Sequence, residues 1–162
     1  MENDLLRQAT LLLVLPIALA TVLQATTLDP DYTPGVLCSE ADPDFDDFYY
    51  AEQIARCIRK VTLEEKREVA RHYSIDENEW KHYQFDHLIP LCAGGSNAIG
   101  NLWPESLEEA HEKDQIEDKV CTKMRSGTMT QVEAVTTIHQ WFERAESKSH
   151  NPLEMPTGFP ER

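Results

Sequence analysis

The sequence predicts an α+β fold: a small β-hairpin closed by a helix, flanked by further helices and stapled by disulfides. Three observations carry that expectation. Tyr83 to Leu91 (YQFDHLIPL) is rich in aromatic and branched side chains and runs toward Gly94-Gly95, which reads as a strand followed by a turn. The pattern Ser/Thr-x-x-Glu, which closes a reciprocal cap at a helix start, precedes two amphipathic stretches and one long polar one. Cys38, Cys57, Cys92 and Cys121 form an even set in a short chain.

Taken in order, residues 1–25 stand apart, because Thr10 to Leu23 is apolar and uncharged. At about 14 residues this stretch is shorter than the roughly 20 needed to span a bilayer. Ala18-Leu19-Ala20 offers the small side chains a signal peptidase accepts. The expectation is a signal peptide and an exported protein, periplasmic or secreted, with an uncleaved N-terminal anchor as the alternative and no stable membrane span if the leader is removed. Residues 26–48 are rich in Pro, Asp and Thr without periodicity, and read as an extended acidic segment tied down near Cys38. The globular domain is expected over residues 49–144.

Within it, Ile54, Cys57 and Ile58 stand at helical spacing, so residues 49–60 read as a short helix. Thr62 with Glu65 opens a helix to about His72, Ser106 with Glu109 a long one to about Met124, and Thr130 with Glu133 a last one through Trp141 and Phe142. Residues 145–162, with Pro152, Pro156, Gly158 and Pro160, read as a tail. None of the four cysteines stands in a Cys-x-x-Cys pair, so two disulfides are favoured over a zinc cluster. Cys38 with Cys57 and Cys92 with Cys121 is the favoured pairing, although four cysteines permit three connectivities.

The net charge of −14 argues against a large basic surface for binding phosphates. Part of that excess is local, in Glu40, Asp42, Asp44, Asp46 and Asp47, and a site needs only a local positive field. The run from Asp42 to Asp46 mimics the start of a calcium loop, but Asp47 stands where an EF-hand needs Gly and Gln53 where it needs Glu.

The stretch that carries chemistry runs Asp86-His87-Leu88-Ile89-Pro90-Leu91, Gly94-Gly95-Ser96-Asn97, Asn101-Leu102-Trp103-Pro104, and then a helix bearing His111, Lys113 and Asp114. Adjacent side chains on a strand point to opposite faces, so Asp86 and His87 have to divide the labour. Asn101 can brace the loop by bonding its backbone or the imidazole. Trp103-Pro104 reads as an aromatic anchor ahead of a helix, without chemistry of its own.

With these motifs the sequence resembles the HNH endonuclease family, and more closely an exported branch with the pattern Asp-His-x-Ile-Pro-Leu, Gly-Gly-Ser-Asn, Asn-Leu-Trp-Pro. The resemblance spans roughly residues 35–142 and takes in Leu37-Cys38 and Glu52-Gln53-Ile54-Ala55. It implies a ββα-metal core and metal-dependent hydrolysis of DNA or RNA phosphodiesters with low sequence specificity. One divalent cation is implied, Mg²⁺ or Mn²⁺ by its oxygen ligands, with Zn²⁺ compatible with an imidazole. His87 matches the general base, Asp86 the first metal ligand and Asn101 the Asn that orients the base.

The helix ligand departs from the pattern. Its position falls on Ala110, so His111 is the first choice, with Asp114 and Glu117 as substitutes. Helical angles place Leu107, His111, Asp114, Asp118 and Cys121 on one side, expected to face the hairpin and its cation, and Ile116, Val120 and Met124 on a core seam. An immunity or inhibitor protein would be a natural partner of such a nuclease. The competing expectation is a binding or structural module that keeps the fold without turnover.

Overall fold

The computed structural model describes residues 26–150; the apolar leader and the last part of the tail lie outside the described residues. Its elements are β1 (Phe45–Tyr49), β2 (Ile54–Cys57), α1 (Leu63–His72), β3 (Tyr83–His87), β4 (Leu102–Ser106), α2 (Leu107–Arg125) and α3 (Gln131–His150). The fold is mixed α+β with two small antiparallel sheets, β1-β2 and β3-β4. No described helix is long and apolar enough to cross a membrane.

The stretch expected as a helix over residues 49–60 is instead the β1-β2 hairpin, with Phe48 opposite Ala55 and Tyr49 opposite Ile54. Tyr50 and Gln53 turn the chain at positive φ, and Cys57 bonds to Cys38. A spacing of three to four among Ile54, Cys57 and Ile58 was therefore a poor guide. Ile54 and Cys57 are buried at the two ends of the strand and Ile58 is exposed.

The capping boxes hold. In α1 the Thr62 hydroxyl accepts from the Glu65 backbone N–H while the Glu65 carboxylate accepts from the Thr62 N–H, and Ser106 with Glu109 repeats the arrangement in α2. Thr130 with Glu133 does the same at the start of α3. α3 continues to His150, beyond the expected start of the tail at 145. The second disulfide joins Cys92 to Cys121, so both favoured pairs form. Closing loops of 19 and 29 residues, they are each expected to contribute about 3 kcal/mol.

The β3-β4 hairpin is the centre of the molecule. Its register sets Gln84 opposite Glu105, Phe85 opposite Pro104, Asp86 opposite Trp103 and His87 opposite Leu102. Because opposed side chains share a face, Gln84, Asp86, Trp103 and Glu105 look one way, and Phe85, His87, Leu102 and Pro104 the other. Phe85 and Leu102 pack on Val69 and Ala70 of α1. On the opposite face Trp103 joins Val120, Met124, Ile138 and Phe142 from α2 and α3, its ring edge-on to Phe142 at 5.0 Å.

The connection between β3 and β4 is tied to itself and to the N-terminal segment. Asn101 is fully buried; its Oδ1 accepts from Ile89 N at 2.8 Å, and its Nδ2 donates to the carbonyls of Ile89 and Ser96. A Cβ on Gly95 would run into the Ile89 carbonyl, so only glycine lets the loop close on this bracket. The extended segment lies alongside, with Gly35 N donating to Gly100 O, Ser96 N to Val36 O and Cys38 N to Gly94 O.

Candidate active site

Asp86 and His87 leave β3 on opposite faces, and Arg59 joins them. Arg59 follows β2, and its Nη1 donates to Asp86 Oδ1 at 2.9 Å and lies 3.3 Å from His87 Nδ1, while its Nη2 donates to the Phe85 carbonyl. The imidazole is only 2 % exposed, whereas the Arg59 side chain is half exposed. Arg59 is thus the cover between His87 and solvent.

The far side of the ring is held by Asn97, whose Oδ1 is 3.0 Å from His87 Nε2. The orientation of that amide is settled by its other bonds: Nδ2 donates to Ile58 O at 2.7 Å and to Asp44 Oδ2, and Oδ1 also accepts from Lys60 N. Oδ1 facing the ring can only accept, so Nε2 carries the proton. Arg59 can only donate, so Nδ1 presents its lone pair. Two independent partners therefore select one neutral tautomer, with its basic atom turned toward Arg59.

On the α2 face Asp86 Oδ2 accepts from Lys113 Nζ at 2.9 Å, and the same ammonium bonds Glu117. Lys113 is 1 % exposed, and Glu105, equally buried, has no hydrogen-bond partner for either oxygen among the described residues. Burial alone would raise the pKa of Asp86, but the Lys113 ammonium and the Arg59 guanidinium overcome it and hold the carboxyl well below its ordinary range. Burial would likewise lower the Lys113 pKa, but Asp86, Glu117 and Glu105 hold it raised. For Glu105 burial wins over the pull of Lys113 and pushes its pKa up to about 8. For Glu117 the same desolvation raises the pKa.

The raised pKa of Glu105 has a measurable consequence. Between its usual pKa of 4.5 and about 8 the folded state holds a proton that the unfolded chain releases, so stability falls as pH rises through that window. Glu105→Gln lacks this slope and is expected to gain on the wild type by about 1.4 kcal/mol per pH unit across it. Urea unfolding at several pH values from 5 upward would show the two curves diverging; parallel curves would mean that Glu105 ionises normally in the fold.

Among the residues expected from sequence, Asp86 and His87 come together, but Asn101 braces the loop backbone and does not touch the imidazole. His111 is exposed on α2, as are Asp114 and Asp118. The buried side of that helix is instead Ala110, Lys113, Val120 and Met124, with Glu117 half-buried along it. The turn of helix expected to bring a metal ligand to Asp86 brings an ammonium. A divalent cation held between Asp86 and His111 does not fit these residues, since both oxygens of Asp86 are engaged by cationic side chains and His111 faces away. Elsewhere Cys38, Asp42 and Cys57 place their ligand atoms within 4.8 Å of one another, a group that could hold a metal. With the two sulfurs joined as a disulfide they lack the thiolate charge that ligation needs.

Arg59, Asn97, Lys113 and Glu105 complete the constellation; Asn97 and Lys113 stood in the chemistry-bearing stretch without a role, and Arg59 and Glu105 were not singled out from sequence. Lys113 lies in step with Ala110, Val120 and Met124, which is the signal that could have placed it on the buried side. Asn97 stood within Gly-Gly-Ser-Asn, but nothing local ties Arg59 to residues so far along the chain. No family model, curated protein or solved structure matches this chain.

Proposed function

We propose that this protein hydrolyses nucleic-acid phosphodiesters, with His87 as the base. The observation that carries the reading is Arg59, whose one guanidinium nitrogen reaches both the Asp86 carboxylate and the unprotonated nitrogen of His87. Arginine pairs with phosphate through the same fork it offers a carboxylate, so an incoming phosphodiester competes for it. Drawn onto the phosphate, Arg59 uncovers Nδ1, and water can take its place.

His87 then accepts a proton from that water, whose oxygen forms the new bond to phosphorus as the bond to the 3′ oxygen breaks; the departing oxygen is protonated from solvent. Arg59 offsets the charge that gathers on the phosphate. Asn97 keeps the imidazole in the tautomer that can do this, and Asp86 with Lys113 fixes where Arg59 starts.

The test uses plasmid DNA and RNA with Mg²⁺, Mn²⁺ or chelator, because the family resemblance implies a divalent cation. Nicking by the wild type that His87→Ala loses is the expected result. The burial of His87 favours a second reading, a module whose buried polar cluster only ties the hairpin to β2. Identical traces for the two proteins would select it.

A further inference from the structure

A cavity of about 620 Å³ is walled by Tyr49, Tyr50, Arg56, Arg59, Leu91 and Arg125, with the Cys57 and Cys92 positions and two isoleucines completing it. A second, of about 580 Å³, lies on the other side of Arg59 and includes Lys66, Trp80, Tyr83, Gln84 and Phe85. Arg59 belongs to both, and it is the residue that covers His87.

The chemistry of these walls departs from the rest of the chain. With 29 Asp and Glu against 15 Lys and Arg, a random patch of surface would be acidic, yet no acidic residue lines either cavity. Arg56, Arg59 and Arg125 come from β2, the segment after it and the end of α2, and converge on one groove. Arg125 is exposed and, among the described residues, has no carboxylate in salt-bridge range. Arg56 lies over the Tyr49 ring, 4.3 Å from its centroid, with Asp46, outside the lining, 4.0 Å from its guanidinium and accepting from the Tyr49 hydroxyl, so an incoming phosphate competes with that carboxylate for Arg56.

Guanidinium groups among aromatic and apolar walls suit a ligand that alternates anionic phosphates with flat rings. A duplex keeps its base faces stacked on one another, whereas a single strand can turn them outward onto aromatic side chains. We propose that the two cavities form one track for single-stranded nucleic acid, with phosphates on Arg56, Arg125 and Lys66 and the central one at Arg59. The position of the central phosphate deepens the hydrolytic reading above and rests on it; binding along the track does not.

The test is a binding measurement in which no bond is cut. The full chain in chelator is titrated into a labelled phosphorothioate oligothymidylate of about 12 nucleotides and into a duplex of the same length, and fluorescence anisotropy is read at low and moderate salt. The single strand is expected to bind at least tenfold more tightly than the duplex. Arg56→Glu with Arg125→Glu should weaken it tenfold or more. A control reversal of equal charge at Lys119 and Arg144, which line neither cavity, should weaken it less than threefold.

Since the double reversal could disturb β2, Arg125→Gln is measured beside it and should weaken binding severalfold with unchanged unfolding behaviour. Equal losses in the groove and control reversals, duplex binding as tight as the single strand, or Arg125→Gln binding as tightly as wild type would overturn the track. Tight single-strand binding by a protein that never cuts plasmid or RNA would retain the track and remove the hydrolytic reading. Cleavage without these differences would do the reverse.

Discussion

Replacing Lys113 by Met is expected to lower stability by about 3–5 kcal/mol at neutral pH, the range found when one partner of a buried ion pair is removed. That is a large share of the roughly 5–15 kcal/mol by which small domains are stable. Met keeps most of the length and apolar stem of the lysine, so the loss reads the charge more than the packing. Without the ammonium, Asp86 keeps only Arg59, Glu117 loses its partner, and Glu105 sits beside two carboxylates with nothing to offset them. Acid should narrow the gap, because a protonated carboxyl no longer needs the lysine. Adding Glu117→Gln to Lys113→Met should recover part of the loss by removing one of the stranded charges. Urea unfolding of the three proteins at neutral and acid pH measures this, and a Lys113→Met protein as stable as wild type at neutral pH would show that the cluster contributes nothing net to the fold.

Removing the Asn97 side chain is expected to reduce cleavage about a hundredfold, within the range attributed to a positioned general base. Asn97 touches no reacting atom in the proposed step; it acts through His87 as a positioning residue. In Asn97→Ala the Nε2–H loses its acceptor, and the ring can adopt the other neutral tautomer or turn away from Arg59. Ile58 O and Asp44 also lose a donor, so some loss of stability is expected as well. A merely structural role would end there. The distinguishing measurement is the pattern of ¹⁵N shifts of the His87 ring, which should report the Nε2–H tautomer in the wild type and a mixture in Asn97→Ala. A wild-type ring protonated at Nδ1 would contradict the arrangement of Arg59 and Asn97 around it.

How far the sequence alone reached depended on whether a signal was local. The capping boxes at Thr62, Ser106 and Thr130 announce helix starts because the bonds that make them span three residues. The disulfide pairing was one of three connectivities, and nearness in sequence happened to favour it. The strand bearing Asp86-His87 was read from neighbouring side chains, but it ends at His87 rather than Leu91, and Trp103-Pro104, expected as an anchor ahead of a helix, lies within β4, because that strand is defined by its pairing with β3. At residues 49–60 the same reasoning went astray, where periodicity over so short a run cannot separate a helix from a strand bent by a turn and a disulfide. Asn101 was understood as a brace, yet which groups it would bond depended on how the chain folded back between Ile89 and Ser96.

On α2 the sequence placed Val120 and Met124 in the core and then assigned the hairpin-facing side by polarity, which selected His111 and Asp114. Polarity was the wrong criterion there, because the hairpin face already carried the Asp86 carboxylate, and a buried lysine on the seam offsets it.

Sequence by itself determined the helix starts and the strand that carries a carboxylate beside an imidazole, all set by interactions within a few residues, whereas its partner strand β4 pairs with it across 15 to 23 positions. Tertiary structure alone decided which groups meet that pair: Arg59 after β2, Asn97 in the loop and Lys113 on α2 are separated from it by 10 to 28 positions. Their convergence follows from the balance of charge and hydrogen bonds in a buried site, and that balance does not exist until the hairpin, the loop and the helix have closed together.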